Sequence, residues 1–215
     1  SSGELTAPSR LTQAKLDKDG NLTPIQGGLF DERKTGGIHG KKWSHFTLAE
    51  PMPNPVFEEP IKKILGLTKG QFADVMNGTK SLDAKTGAVV PLGQGVTGGA
   101  GVAMALRALD VGRTLDEAKK QLEGATISKD YAHGANTQKI DTALKKVKYL
   151  QVLQDKGIRP DEAYVLTKLP VLPPSMRQPS MLRDGNVRWE DVNGLYSQLG
   201  QVNETMKKLK AQPGV

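Results

Sequence analysis

Apolar residues near the C-terminal end recur with a narrow helical rhythm. Val192, Leu195, Leu199, Val202, Met206 and Leu209 follow one another at spacings of 3, 4, 3, 4 and 3. That is the a/d rhythm of a coiled-coil seam, too thin a stripe for a helix sunk in a globular core, and it predicts a helix that packs against another helix. Pro213 and Gly214 end it, and no returning strand of the coil follows within these residues. Ile140, Leu144, Val147, Leu150 and Leu153 make a further stripe that stops at Gly157. Thr137 is the expected cap of that helix.

Upstream, Ala100 to Leu109 reads as a helix burying Val102, Leu106 and Leu109. Thr114 and Glu117 have the spacing of a capping box for a helix carrying Leu115, Ala118 and Leu122. Short helices are predicted over Pro60 to Leu65 and Lys69 to Met76. Residues 43 to 58 read as a strand followed by a proline-broken segment, MPNPVF, that anchors Val56 and Phe57 in a core. Residues 77 to 98 suggest a long loop or hairpin with a flexible Gly-rich connection, and 1 to 27 an extended polar run. The expected fold is therefore mixed, mainly α, with short strands and long loops.

Between the apolar run Tyr164 to Leu172 and the seam helix lies LTKLPVLPPSMRQP. Pro173 and Pro174 fix φ and remove two backbone donors, which makes this stretch a stiff strut able to aim the Gly-containing loop beyond it.

Composition narrows the function. With 24 Gly, 13 Pro and only 5% aromatic residues among 215, the core is thin for the length, so the chain is expected to lean on neighbours. Thirty Lys and Arg against 23 Asp and Glu give a net charge of +7, which favours a polyanion or an acidic partner. No window approaches the roughly 18 apolar residues of a membrane span, and the polar N-terminus has no signal-peptide core, so no membrane partner is expected. The expected compartment is the cytoplasm.

The search for autonomous chemistry is negative. There is no cysteine, hence no disulfide and no thiolate metal site. His39 and His45 alone make a poor zinc site, and His133 falls in a polar loop. The run GQGVTGGAG lacks the Lys-Ser/Thr close of a phosphate loop. Glu58/Glu59, Asp116/Glu117 and Asp161/Glu162 sit near helix starts, where the macrodipole accounts for them. No catalytic residue, metal ligand or resident cofactor is assigned.

The ordered motifs LPVLPPSMR, a Gly turn, then DVNGLYSQL with NETMKKL resemble the stretch of the bacterial RNA polymerase beta-prime subunit that forms the lid loop and the first clamp helix. The resemblance continues in order through Gly3-Glu4-Leu5, Gly28-Leu29-Phe30, SHFTLAEPMPNPVF from Ser44 to Phe57, and the segment Gly99 to Leu122. It departs from the family at Asp31 to Trp43, where DERKTGGIHGKKW replaces a four-cysteine zinc site, and at Ser197-Gln198, where the family has Arg-Arg. Divergence of the first kind suits a viral, phage-encoded enzyme. The second puts docking of a host-type sigma factor in doubt. The family's NADFDGD segment, which holds the catalytic magnesium, is absent from these residues.

The resemblance implies a clamp part of a multisubunit DNA-directed RNA polymerase, a nucleotidyltransferase whose magnesium site lies elsewhere. Its partners would be other polymerase subunits or remaining beta-prime segments, template DNA, the RNA transcript and an initiation factor; a viral enzyme would work in the host cell cytoplasm. The implied division is a zipper-like segment and zinc-site remnant over 1–42, a clamp core over 43–172, a lid-like loop over 173–188, and the first clamp coiled-coil helix with its tip over 189–215. Arg177, Arg183 and Arg188, with the zipper-like Lys15 and Lys18, are the expected nucleic-acid contacts. Val192, Leu195, Leu199, Val202, Met206 and Leu209 are the expected partner-binding residues. The alternative is a non-enzymatic adapter that uses the seam helix to bind another protein.

Overall fold

The computed structural model describes residues 3–7, 14–16, 18–19, 21–127, 134–183, 187–188 and 190–212. His133, the Gly turn at 184–186, and the helix stop at Pro213 and Gly214 lie outside them. In chain order come β1 (Ala14–Leu16), β2 (Leu22–Pro24), α1 (Glu32–Thr35), β3 (Ser44–Pro53), α2 (Glu58–Leu65), α3 (Lys69–Met76), β4 (Lys80–Leu82) and β5 (Val89–Pro91). There follow α4 (Gly98–Ala108), α5 (Val111–Ile127), α6 (Gly134–Lys156), α7 (Pro160–Tyr164), β6 (Val165–Val171), β7 (Ser180–Met181), β8 (Val187–Arg188) and α8 (Asp191–Ala211). The fold is mainly α with short two-stranded sheets, in the pairs β1-β2, β3-β6, β4-β5 and β7-β8. Two compact units divide the chain: one takes Ser1–Ala49 with Thr167–Val215, the other Glu50–Leu166.

The central unit is built on helix faces. Ile61 and Ile64 of α2, Phe72 and Val75 of α3, Val102 and Leu106 of α4, Leu115 and Ala118 of α5, and Leu150 and Leu153 of α6 close on Leu82 and Tyr164. Each large apolar side chain so buried contributes about 1.5 to 3 kcal/mol. Local chemistry sets the ends. Thr68 and Gln71 form a reciprocal capping box that starts α3. Gly157, at φ 62°, closes α6 with its own N–H on Gln154 O and that of Ile158 on Leu153 O, a Schellman stop.

Several sequence expectations need correcting. Thr114 does not begin a helix: α5 starts at Val111, the Thr114 hydroxyl donates to Asp110 O at 2.6 Å, and the Asp110 carboxylate accepts from Arg113 N at 3.0 Å, so Asp110 takes the capping role. Thr137 likewise lies inside α6. Leu144 is exposed, leaving the stripe on α6 shorter than its periodicity suggests. Strand β3 runs on through Pro51 and Pro53, which a strand of a two-stranded sheet tolerates. Val56, 80% exposed, and Phe57 do not anchor a core; Phe57 only leans on Tyr164 at a ring distance of 5.3 Å.

Nor is the Gly-rich run a loose connection. Gly98 to Gly101 already form the first turn of α4, and a Cβ at Gly99 or Gly101 would collide with Pro51 O or Val96 O. These glycines permit close backbone approach.

The unit that holds both chain ends has a smaller core of Leu5, Leu29, Phe30, Phe46 and Val171, with Ile38, Leu169 and Tyr196 against it. Residues 3–5 run beside β3, the Leu5 N–H donating to His45 O and the His45 N–H to Gly3 O, both at 2.9 Å. Asp31 is buried and caps α1, accepting from the backbone N–H groups of Gly27, Arg33 and Lys34. The GLF motif thus leads straight into a capped turn, and its Leu and Phe supply the floor of the unit.

Candidate functional site

A loop begins where the proline strut ends. Pro173 and Pro174 are buried, a single 3-10 turn covers Pro174–Met176, and Arg177 follows with a φ of −147°. Arg177 is fully buried. Its Nε donates to Leu172 O at 2.8 Å, Nη2 to Leu29 O at 2.6 Å and Nη1 to Asn193 Oδ1 at 2.9 Å. Asn193 returns a bond from Nδ2 to Arg177 O at 3.0 Å, and the guanidinium lies 4.8 Å from the Phe30 ring centre. A cation–π contact adds to the three acceptors.

One side chain therefore ties together the GLF segment, the end of the strut and the first turn of α8. Burial pushes the guanidinium down to about 10, partly offset by Tyr196, so it remains charged at neutral pH. A buried cation held by neutral carbonyls is costly to disturb, since loss of a partner leaves it uncompensated. The expectation that Arg177 meets phosphates is corrected accordingly: its head group has no access to solvent, and three of its donors go to the backbone and Asn193.

Beyond this staple the loop forms a ribbon. β7 and β8 pair antiparallel, Ser180 opposite Arg188 and Met181 opposite Val187. Arg183 and Arg188 are both exposed, as is Leu182 between the strands. The other two expected contacts lie on a separate hairpin, with Lys15 opposite Thr23 in the β1-β2 pair and Lys18 exposed in its turn.

Helix α8 wears its faces in an unexpected order. Asn193, Ser197, Gly200 and Asn203 are buried, while Leu195 is 60%, Leu199 46%, Val202 59% and Leu209 49% exposed. Val192 and Met206, at the margins of the seam, are half-buried. The inner face docks by hydrogen bonds: Asn203 Oδ1 accepts from Ala49 N at 2.7 Å, and its Nδ2 donates to Thr47 O at 2.9 Å. Lys210 Nζ adds a bond to Ala49 O at 3.2 Å. Tyr196 accepts from Leu172 N through its hydroxyl at 3.3 Å.

Asn193 and Asn203 were not singled out from the sequence. The available signal was the complementary rhythm of Asn193, Ser197, Gly200 and Asn203, spaced 4, 3 and 3 on the face opposite the seam.

The segment from Asp31 to Trp43 is also tied down. Gly40 O accepts from Ser175 N at 2.9 Å, and Gln178 Nε2 lies 3.1 Å from His39 Nδ1. Among the described residues no three His, Cys, Asp or Glu side chains cluster as a metal site, and no helix is long and apolar enough to cross a membrane.

No protein-family model matches the chain. It is 30% identical over 118 residues to the DNA-directed RNA polymerase subunit beta′ of Chara vulgaris, covering 53% of this chain and 17% of that protein. The same subunit of Azoarcus sp. is 32% identical over 114 residues, 53% of this chain and 7% of the relative; that of Francisella philomiragia is 33% identical over 89 residues, 41% and 6% respectively. The matched stretches are thus a small fraction of the relatives' own length. On these matches the chain is related to a region of the beta′ subunit of DNA-directed RNA polymerase.

Proposed function

We propose that this chain is a clamp segment of a multisubunit DNA-directed RNA polymerase, holding DNA and the upstream end of the RNA–DNA hybrid during transcription. The observation that carries this reading is the Arg177 staple. It joins the GLF segment, the LPVLPP strut and α8, and so gives a rigid base to the β7-β8 ribbon. A two-stranded ribbon with a fixed foot and exposed Arg183, Leu182 and Arg188 suits a lid: the arginines contact phosphates and the tip separates transcript from template. Lys15 and Lys18 on the β1-β2 hairpin act as a second, zipper-like contact with DNA.

In this reading the exposed seam of α8 is one half of a coiled coil. Its other half comes from the remaining beta′ sequence or from another subunit, and an initiation factor is a further candidate partner. Nucleotidyl transfer and its magnesium belong to residues outside this chain, and no step of the chemistry passes through the residues described here. The enzyme acts in the cytoplasm.

The seam also supports a second reading, a non-enzymatic adapter that binds a protein through α8. Purification of the natural assembly separates the two: a companion polypeptide with NADFDGD supports the polymerase, an isolated dimer of this chain the adapter. The lid assignment is tested by deleting Ser180 to Asn186 in the reconstituted enzyme. Extended hybrids with bond formation intact support it, and unchanged hybrid length removes it.

A further inference from the structure

We infer that the segment 36–43 is a docking platform for single-stranded nucleic acid, with Trp43 stacking on an unpaired base and Lys41 and Lys42 contacting neighbouring phosphates. This goes beyond the lid reading and uses none of the residues proposed there to contact nucleic acid.

The argument begins with the placement of Trp43. Along the start of β3, Ser44 and Phe46 are buried while His45 and Thr47 are less so, which puts Trp43 on the outward phase. It is 59% exposed, although a core containing Leu29, Phe30 and Phe46 lies in the same unit. Leaving so large an apolar ring in water is unfavourable, and a partner that covers it recovers that free energy.

The backbone beneath is fixed. Lys42 N donates to Thr35 O at 3.3 Å, Gly40 O accepts from Ser175 N at 2.9 Å, and a Cβ at Gly40 would strike the Thr35 carbonyl. The ring is therefore presented by an ordered loop, with little ordering cost left for binding.

Charge then identifies the partner. From Glu32 to Trp43 the exposed or half-buried ionic groups are Arg33, Lys34, Lys41 and Lys42 against a single carboxylate, Glu32; the neighbouring Asp31 is buried as a cap. An exposed aromatic ring next in sequence to two exposed lysines matches a base beside phosphates, and stacking requires the base to be unpaired. An acidic peptide would satisfy the lysines but offers no comparable planar face.

The test uses the full chain in the assembly from which it purifies, with Trp189→Phe as background so that Trp43 is the only tryptophan of this chain. A 12-nucleotide single strand carrying 5-iodouracil, as DNA and as RNA, is titrated by the anisotropy of a fluorescein label and then photo-crosslinked. Crosslinks are expected in the peptide containing Trp43. In the same background Trp43→Ala should lose the crosslink and weaken binding of a fluorescein-labelled strand roughly tenfold, with Trp43→Phe restoring most of it. Lys41→Ala with Lys42→Ala should lower the salt slope by about 0.7 per phosphate lost. Arg183→Ala with Arg188→Ala should leave the Trp43 crosslink in place, so failure of the lid and failure of this platform are distinguishable. Binding unchanged in Trp43→Ala, absence of a Trp43 crosslink, or loss of a co-purifying polypeptide without loss of the oligonucleotide would each overturn the inference, the last in favour of a protein partner.

Discussion

Arg177 and Asn193 exchange hydrogen bonds in both directions, Nη1 to Oδ1 at 2.9 Å and Nδ2 to the arginine carbonyl at 3.0 Å, although 16 positions separate them. The intervening residues are closed off as a loop with a common foot. Closure of a loop this size carries an entropy cost that the reciprocal pair offsets locally.

Arg177→Ala is expected to destabilise the unit by about 3 to 5 kcal/mol, because Leu29 O and Leu172 O lose a fully buried donor group. Asn193→Ala should cost about 1 to 3 kcal/mol by leaving the guanidinium short of an acceptor. Arg177→Lys should rescue little, since an ammonium cannot span three divergent acceptors. Denaturant melts of both single variants and the double variant measure the coupling; additive effects would contradict the staple.

Seam and inner-face substitutions on α8 should part company. Leu195→Ser and Val202→Ser are expected to change stability of the isolated chain by no more than about 0.5 kcal/mol, being largely exposed, yet to abolish association with a helical partner. Asn203→Ala should do the opposite, costing about 1 to 3 kcal/mol through the stranded Ala49 N–H and Thr47 O. Thermal melts alongside co-purification distinguish the two patterns.

Asp31 makes the same unit acid-sensitive. Burial pushes its carboxyl up, but the N–H groups of Gly27, Arg33 and Lys34 outweigh this and leave it below the ordinary aspartate value. A depressed folded value means that its stabilisation is complete above the unfolded aspartate pKa of about 3.9 and is lost as pH falls through the folded one. Asp31→Asn should therefore flatten the acid limb of the stability curve, as followed by fluorescence between pH 6 and pH 2.

Gly99→Ala and Gly101→Ala are expected to destabilise the central unit by about 1 to 3 kcal/mol each, because Pro51 O and Val96 O occupy the space a methyl group needs. Gly124→Ala, on the exposed side of α5 with nothing nearby, should be neutral or stabilising. Hydrogen exchange on α4 and α5 would register the contrast.

Much of the helical framework was legible because its signals are local. The α6 stop follows from Gly157, decided within a few residues, and the start of α3 is likewise set locally by Thr68 and Gln71. Arg177 was illegible for the opposite reason. An arginine after two prolines reads as a solvent or phosphate contact, and only acceptors 5, 16 and 148 positions away turn it into a core residue. Thr114 misled because Asp110 competes as a cap one turn earlier, and Val56 because nothing in MPNPVF reveals which side of the chain the core occupies. On α8 the seam was visible, but that the polar face would be the buried one depends on backbone groups of β3 that periodicity does not register.

That reversal separates two kinds of evolutionary constraint on a single helix. Asn203 sets its register against β3 through the backbone of Ala49 and Thr47, atoms that every sequence possesses, so that attachment asks nothing of the side chains on the strand. The leucines and valines answer only to whatever lies outside. Such a helix can exchange its outer surface wholesale as its partner drifts, and the unit that carries it need not change a residue in response.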